Sequence, residues 1–277
     1  MAEAHAEIRL YAVFGRPIAH SLSPRLHAAG FAARGLRHCY YVPVTVAPED
    51  LLPALAAFRR LGGAGVNLTR PLKEIAAASD FLVARDAWAE RTGAVNTLAA
   101  APGGWTGANT DAPALAEALR SRGVAPAAAL VFGAGGAARA SVAALESLGA
   151  TVTVASRRAP AGEPLASGGW VPWGDGVAHA AAFDVVVNAT PLGQAGEPSW
   201  PALPAWRSGM VAVDWVYVPR ETPFLAGARA AGALVIDGLE LLVRQAALAW
   251  VPWFGEPGPL AAMGEAVGWS PSDRREP

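Results

Sequence analysis

One lysine, Lys73, stands in a 277-residue chain whose other strongly basic positions are all arginine. Arginine stays protonated in proteins whereas lysine can lose its proton, so a solitary lysine marks a candidate proton donor or acceptor. It closes the stretch Gly65-Val66-Asn67-Leu68-Thr69-Arg70-Pro71-Leu72-Lys73, in which Asn67 and Thr69 sit just past an apolar run. Ligands collect at the carboxyl ends of strands in parallel α/β sheets. Two more polar turns, Gly93-Ala94-Val95-Asn96-Thr97 and Gly107-Ala108-Asn109-Thr110-Asp111, add amides and a carboxylate. Such groups suit a ring bearing several hydroxyls, and equally serve as turn and cap residues. Near Lys73, the carboxylate of Asp111 would favour the ammonium form.

Gly15 to Pro24 places Ser21 and Ser23 one residue apart between a strand end and a helix start. Both hydroxyls can face one anion beside exposed helix amides, which makes a carboxylate pocket. The competing reading is that Ser23 caps the helix and Ser21 turns the chain. His20 beside them reads as a structural histidine rather than an acid.

Ala127 to Arg158 runs apolar strand, glycine turn, apolar-periodic helix and β-branched strand, which is a βαβ unit. Its turn spaces Gly133, Gly135 and Ala138 as G-x-G-x-x-A. The first glycine permits the tight turn, the second lets a pyrophosphate approach, and the small third residue lets the helix pack closely. The helix N-terminus then faces the phosphates. An NAD site puts an acid about 20 residues past the first glycine. The window here reads Val154-Ala155-Ser156-Arg157-Arg158. A guanidinium fork matches a 2′-phosphate, so the unit predicts NADP.

These residues need elements to hold them. Strands are expected at 8–15, 38–44 and 64–68, helices at 23–34, 48–61 and 83–91, and a hairpin of 94–101 with 105–106. A helix at 111–122 leads into the βαβ unit. A weak strand near Trp170, strands at 183–188, 210–215 and 234–236, and helices at 221–231, 238–250 and 259–267 complete a pattern of two α/β domains. A cleft between domains is where a small substrate meets a nicotinamide. The tail Ser270 to Pro277 is polar and expected to fray.

Composition narrows the classes. A formal net charge of −1 with 53% hydrophobic residues points away from nucleic acid and anionic membranes as partners. The one cysteine, Cys39, precludes an intrachain disulfide, fits a reducing compartment and reads as an inert buried thiol. No basic region followed by an apolar core opens the chain, and no apolar stretch reaches membrane-spanning length, so a cytoplasmic protein is expected.

The segments GRPIAHSLSP, GVNLTRPLK, GAVNT, GANTD, GAGGAAR, NATPLG (Asn188 to Gly193), DWVYVPRETPFL (Asp214 to Leu225) and DGLELLVRQAA (Asp237 to Ala247) together resemble, in order, the motifs of the shikimate/quinate dehydrogenase family. The resemblance implies a split substrate-binding and catalytic domain of residues 1–112 plus 238–277, around a Rossmann NADP-binding domain of residues 113–237. It implies reversible NADPH-dependent reduction of 3-dehydroshikimate to shikimate, in the pathway to aromatic amino acids; a monomer or homodimer with no metal is expected. By position, Ser21 and Ser23 take the carboxylate with Tyr217 nearby, while Asn67, Thr69, Asn96, Asp111 and Gln245 take hydroxyls. Lys73 and Asp111 form the catalytic pair. Gly133, Ala134, Gly135, Gly136, Ala137, Ser156, Arg157, Arg158, Thr190 and Gly238 line the cofactor. Two readings remain beside this one: a quinate-oxidising member that uses NAD, and a non-catalytic NADP-binding paralogue. The paired serines and paired arginines favour shikimate and NADP, and the presence of both Lys73 and Asp111 favours an enzyme. Two departures stand out. The family's Asn-Arg-Thr after the second Rossmann strand is Ser156-Arg157-Arg158 here, and the loop at 158–180 looks short and irregular for the helix expected there.

Overall fold

The computed structural model describes residues 7–159 and 165–271, which fall into two units: residues up to Thr110 with those from Val243 onward, and Asp111–Leu242. In the first unit, β1 (Arg9–Gly15), α1 (Ser23–Ala33), β2 (Cys39–Thr45), α2 (Leu51–Arg60), β3 (Gly63–Leu68), α3 (Leu72–Ala77), β4 (Leu82–Arg85), α4 (Ala87–Thr92), β5 (Thr97–Ala101) and β6 (Gly104–Ala108) build a six-stranded sheet ordered β2-β1-β3-β5-β6-β4. The β1 strand pairs in parallel with β2 and β3, whereas β5 runs antiparallel to both β3 and β6. Apolar spacing explains the packing: α2 buries Leu51, Leu55 and Phe58, a helical stripe, against Phe14, Val66 and Leu68 of the sheet.

The expected helix over 83–91 is corrected. Residues 82–85 form the edge strand β4, paired with β6, and the helix begins only at Ala87. Asp86 decides the boundary, since its carboxylate accepts from the Ala89 amide at 2.6 Å and caps α4. Likewise the hairpin strand starts at Thr97 rather than Ala94. The Val95 amide donates instead to the Lys73 carbonyl at 3.0 Å.

The second unit contains α5 (Asp111–Arg120), β7 (Ala128–Phe132), α6 (Gly136–Glu146), β8 (Thr151–Ser156), β9 (Trp170–Pro172), α7 (Trp173–His179), β10 (Val185–Asn188), β11 (Val211–Asp214), α8 (Pro223–Ala230) and β12 (Leu234–Ile236). Its sheet is ordered β12-β11-β10-β7-β8-β9 with every pairing parallel. That order is doubly wound, and the winding reverses between β7 and β10, next to the glycine turn. The short loop at 158–180 does carry a helix, the seven-residue α7, and its residues 160–164 lie outside the described ones.

From the second unit α9 (Gly238–Leu248) returns the chain to the first, where α10 (Trp250–Phe254) and α11 (Leu260–Glu265) follow. The indole of Trp253 donates to the Leu98 carbonyl at 2.9 Å and lies so close to Gly65 that a Cβ there would come within 2.3 Å of its nitrogen. Glycine in β3 is therefore the residue that admits the C-terminal helix. Of the tail, residues 272–277 are outside the described ones. Among the described residues no helix is long and apolar enough to cross a membrane.

Candidate active site

In the first unit, backbone pairing draws three polar loops together. The Arg16 amide donates to the Arg70 carbonyl at 3.1 Å and the Thr69 amide to Phe14 at 2.9 Å, which ties the serine loop to the loop leading to Lys73. A Cβ on Gly15 would lie 2.2 Å from Thr69 Cγ2, so glycine permits this approach. The Leu68 amide donates to the Asn96 carbonyl at 2.8 Å, bringing in the third loop. Ser21, Ser23, Asn67, Thr69, Lys73 and Asn96 thus stand in or at the edges of adjoining loops.

Ser23 does not cap α1. The helix has no side-chain cap; instead Ser21 Oγ accepts from the Ser23 amide at 3.3 Å. The reading of Ser23 as a cap is thereby corrected; its side chain is buried. Asn67 is buried: its Oδ1 accepts from the Tyr41 hydroxyl at 2.7 Å and its Nδ2 donates to Thr97 Oγ1 at 3.0 Å. Asn96 spends its amide on Thr110, accepting from the Thr110 amide at 2.9 Å and donating to Thr110 Oγ1 at 3.0 Å. Asn109 donates to the Ala94 carbonyl at 2.9 Å, a turn-holding role. Lys73 is half-buried in the first turn of α3, and Gln245 is half-buried in the C-terminal half of α9.

Two residues of this cluster were not singled out from sequence. His27 lies four residues after Ser23 in α1 and is fully buried. Its ring stacks on Tyr41 with centroids 4.2 Å apart and planes at 13°. Trp250 Nε1 donates to its Nδ1 at 3.0 Å, which fixes the neutral ring with the proton on Nε2. Burial pushes the imidazole pKa down to about 3, with an opposing pull from the Asn67 side chain. Burial also holds the Tyr41 phenol well above its ordinary value, opposed by hydrogen bonding with Ser23. The Ser23/His27 spacing, one helical turn on one face, was the available signal. His20, read as structural, is exposed instead. Cys39 is buried, and burial raises its thiol pKa.

In the second unit, β7 ends in the glycine turn. Gly133 has φ of +119°, and a Cβ there would lie 2.8 Å from the Ala189 carbonyl oxygen, so only glycine fits. Gly135 differs: its backbone is ordinary, with φ of −87°, and a Cβ would meet nothing within 4 Å. That open space lies at the N-terminus of the 11-residue α6, whose first turn has no side-chain cap and no acid. Gly136 and Ala137 are the first helical residues behind it, with Ala134 between the two turn glycines. Uncapped amides beside open space fit a pyrophosphate.

At the end of β8, Arg157 and Arg158 are exposed. Ser156 holds their turn: its hydroxyl donates to the Arg158 carbonyl at 2.6 Å and accepts from Trp170 Nε1 at 2.9 Å. At the end of β10, Thr190 Oγ1 donates to Asn188 Oδ1 at 2.7 Å. Asn188 Nδ2 in turn donates to the buried Asp214 at 2.9 Å, as does Thr222 at 2.6 Å. Burial pushes Asp214 up to about 7 in spite of these donors. Gly238 packs on the Val216 backbone, where a Cβ would lie 2.4 Å from the carbonyl oxygen. Tyr217 is half-buried in the segment between, and Asp111 is buried at the start of α5. Among the described residues no group of three or more His, Cys, Asp or Glu side chains could hold a metal.

An all-parallel, doubly wound sheet with a glycine turn at its reversal defines a dinucleotide-binding α/β protein, here joined to a second α/β unit rich in polar loops. Comparison with known proteins places it further. Residues 13–98 match the family model described as shikimate dehydrogenase substrate binding domain. The NADP(+) shikimate dehydrogenase of Acidiphilium cryptum is 45% identical over 89% of this chain and 91% of that protein. The crystal structure of shikimate 5-dehydrogenase from Thermus thermophilus in complex with NADP(H) and shikimate superposes with a TM-score of 0.81 at 37% identity, covering 94% of this chain and 99% of that one. Quinate dehydrogenase from Corynebacterium glutamicum in complex with NAD gives 0.82 at 30% identity, over 95% and 99%. The chain belongs to the shikimate dehydrogenase family.

Proposed function

We propose that this protein catalyses the reversible NADPH-dependent reduction of 3-dehydroshikimate to shikimate, the step of the shikimate pathway that leads toward aromatic amino acids. The observation that carries the choice within the family is the arginine pair at the end of β8, where an NAD site has an acid. When bound, NADPH supplies the hydride to the ketone carbon.

The chain's own residues do the rest. Ser21 and Ser23 hold the carboxylate, with Tyr217 contributing. Asn67, Thr69, Asn96, Asp111 and Gln245 bind ring hydroxyls, Asn96 chiefly by fixing its loop. Lys73 gives a proton or a hydrogen bond to the forming alkoxide, with Asp111 as the carboxylate of the pair. The turn from Gly133 to Ala137 receives the pyrophosphate and Arg157 and Arg158 the 2′-phosphate. Ser156, Thr190 and Gly238 shape the loops around the cofactor. The unit that contains α10 and α11 is the core of a substrate domain drawn as residues 1–112 plus 238–277, with residues 113–237 as the nucleotide domain. The protein acts in the cytoplasm as a monomer or homodimer.

Absorbance at the reduced-nicotinamide band tests this, with purified protein, 3-dehydroshikimate and either NADPH or NADH, and with quinate plus each oxidised cofactor. Fast NADPH consumption with little NADH or quinate turnover is expected. Comparable quinate and NADH rates would make it a quinate dehydrogenase, and absence of all turnover would remove the catalytic reading.

A further inference from the structure

Asn67 has a settled chemical orientation. Its Nδ2 faces the Asn96 carbonyl at 3.4 Å, a group that only accepts, and Thr97 Oγ1 at 3.0 Å, whose own proton goes to Asn96 Oδ1. The amide oxygen is therefore turned to Tyr41, and the tyrosine hydroxyl is the donor in the 2.7 Å contact. Tyr41 is itself held. His27 stacks on its ring, and His27 is fixed in turn by Trp250 from the C-terminal helices. One tyrosine thus joins the buried His27 to a residue assigned to a substrate hydroxyl. Neither Tyr41 nor His27 has a part in the chemistry described above.

We propose that Tyr41 is a positioning residue of the substrate pocket: clamped by the stacked His27, its hydroxyl donates to the Asn67 amide oxygen and holds that side chain in place to meet a substrate hydroxyl. This rests on the reading of Asn67 as a substrate ligand. Tyr41 acts through Asn67 and needs no contact with the reacting atoms. Losing it leaves the amide oxygen short of a donor and the side chain less firmly held, which weakens ground-state and transition-state binding alike. Such uniform binding appears in KM and leaves kcat in place.

The test uses the full chain carrying Tyr41→Phe, assayed with NADPH and 3-dehydroshikimate. The KM for 3-dehydroshikimate should rise about three- to tenfold, the range of one neutral hydrogen bond, with kcat and the KM for NADPH within about twofold of wild type. The same substitution placed on Asn67→Ala should raise KM by less than about twofold further, because its means of action is already gone. An unchanged KM in Tyr41→Phe, a fall confined to kcat, or an equal effect in both backgrounds would overturn the proposal; a merely structural tyrosine gives the last result. If Asn67→Ala does not fold, Asn67→Ser completes the same cycle. Wild-type protein that leaves 3-dehydroshikimate unreduced would instead overturn the functional reading itself, and the role of Tyr41 with it.

Discussion

Trp250 donates its indole N–H to Nδ1 of His27 at 3.0 Å, across 223 positions of sequence. Both groups are buried, and Trp250 also packs on Phe31 of the same helix as His27. Trp250→Phe keeps the ring and removes the donor, leaving a buried acceptor unpaired. The expected loss is about 1–3 kcal/mol of stability, read from chemical denaturation. A variant as stable as wild type would show that the bond contributes nothing.

Two buried groups pull the pH dependence of stability in opposite directions. His27 has an ordinary pKa of 6.5 and a folded value of about 3, so its contribution is present above pH 6.5 and is lost as pH falls towards 3. Asp214 goes from 3.8 to about 7, so its contribution is present below pH 3.8 and is lost as pH rises through 7. Between those limits the two offset. Melting midpoints from pH 4 to 7 should therefore separate them. His27→Gln should fall more with rising pH than wild type does, and Asp214→Asn should rise more. Parallel curves for all three proteins would refute both assignments.

The two turn glycines should fail differently. Gly133→Ala meets a backbone carbonyl at positive φ, so it should lower the melting temperature and nucleotide binding together. Gly135→Ala meets no protein atom within 4 Å, so it should melt like wild type and lose NADPH affinity. Fluorescence titration with NADPH beside a melting curve decides this, and full affinity in Gly135→Ala would place the phosphates elsewhere.

Lys73→Ala should lower kcat by roughly 10²–10⁴-fold, the usual worth of a positioned acid or base, while NADPH still binds. Full turnover in that variant would remove Lys73 from the mechanism. Asp111→Asn should damage both substrate KM and kcat, since it carries two parts.

Arg157→Ala should cut the preference for NADPH over NADH, expressed as a ratio of kcat/KM values, by roughly tenfold to a few hundredfold, one or two charge-assisted hydrogen bonds' worth. Arg158→Ala run in parallel shows which arginine carries the preference. No change in either would assign it to other residues.

Much of this protein was legible in its residue order. The G-x-G-x-x-A turn, the lone Lys73, the serine pair and the arginine pair are local patterns. Short-range rules read them because a turn, a helix start or a strand end lies within a few residues of the chemistry. Where two local signals compete, the apolar period alone misleads: Asp86 caps α4, so no helix runs through it from residue 83. The pairing of side chains was not available from order alone. That His27 stacks on Tyr41, that Tyr41 donates to Asn67, and that Trp250 fixes His27 all depend on strands β1, β2 and β3 lying side by side and on a C-terminal helix packing back on them. A hydrogen bond needs its partners within about 3 Å, and only the packed tertiary structure brings residues so far apart in sequence to that distance.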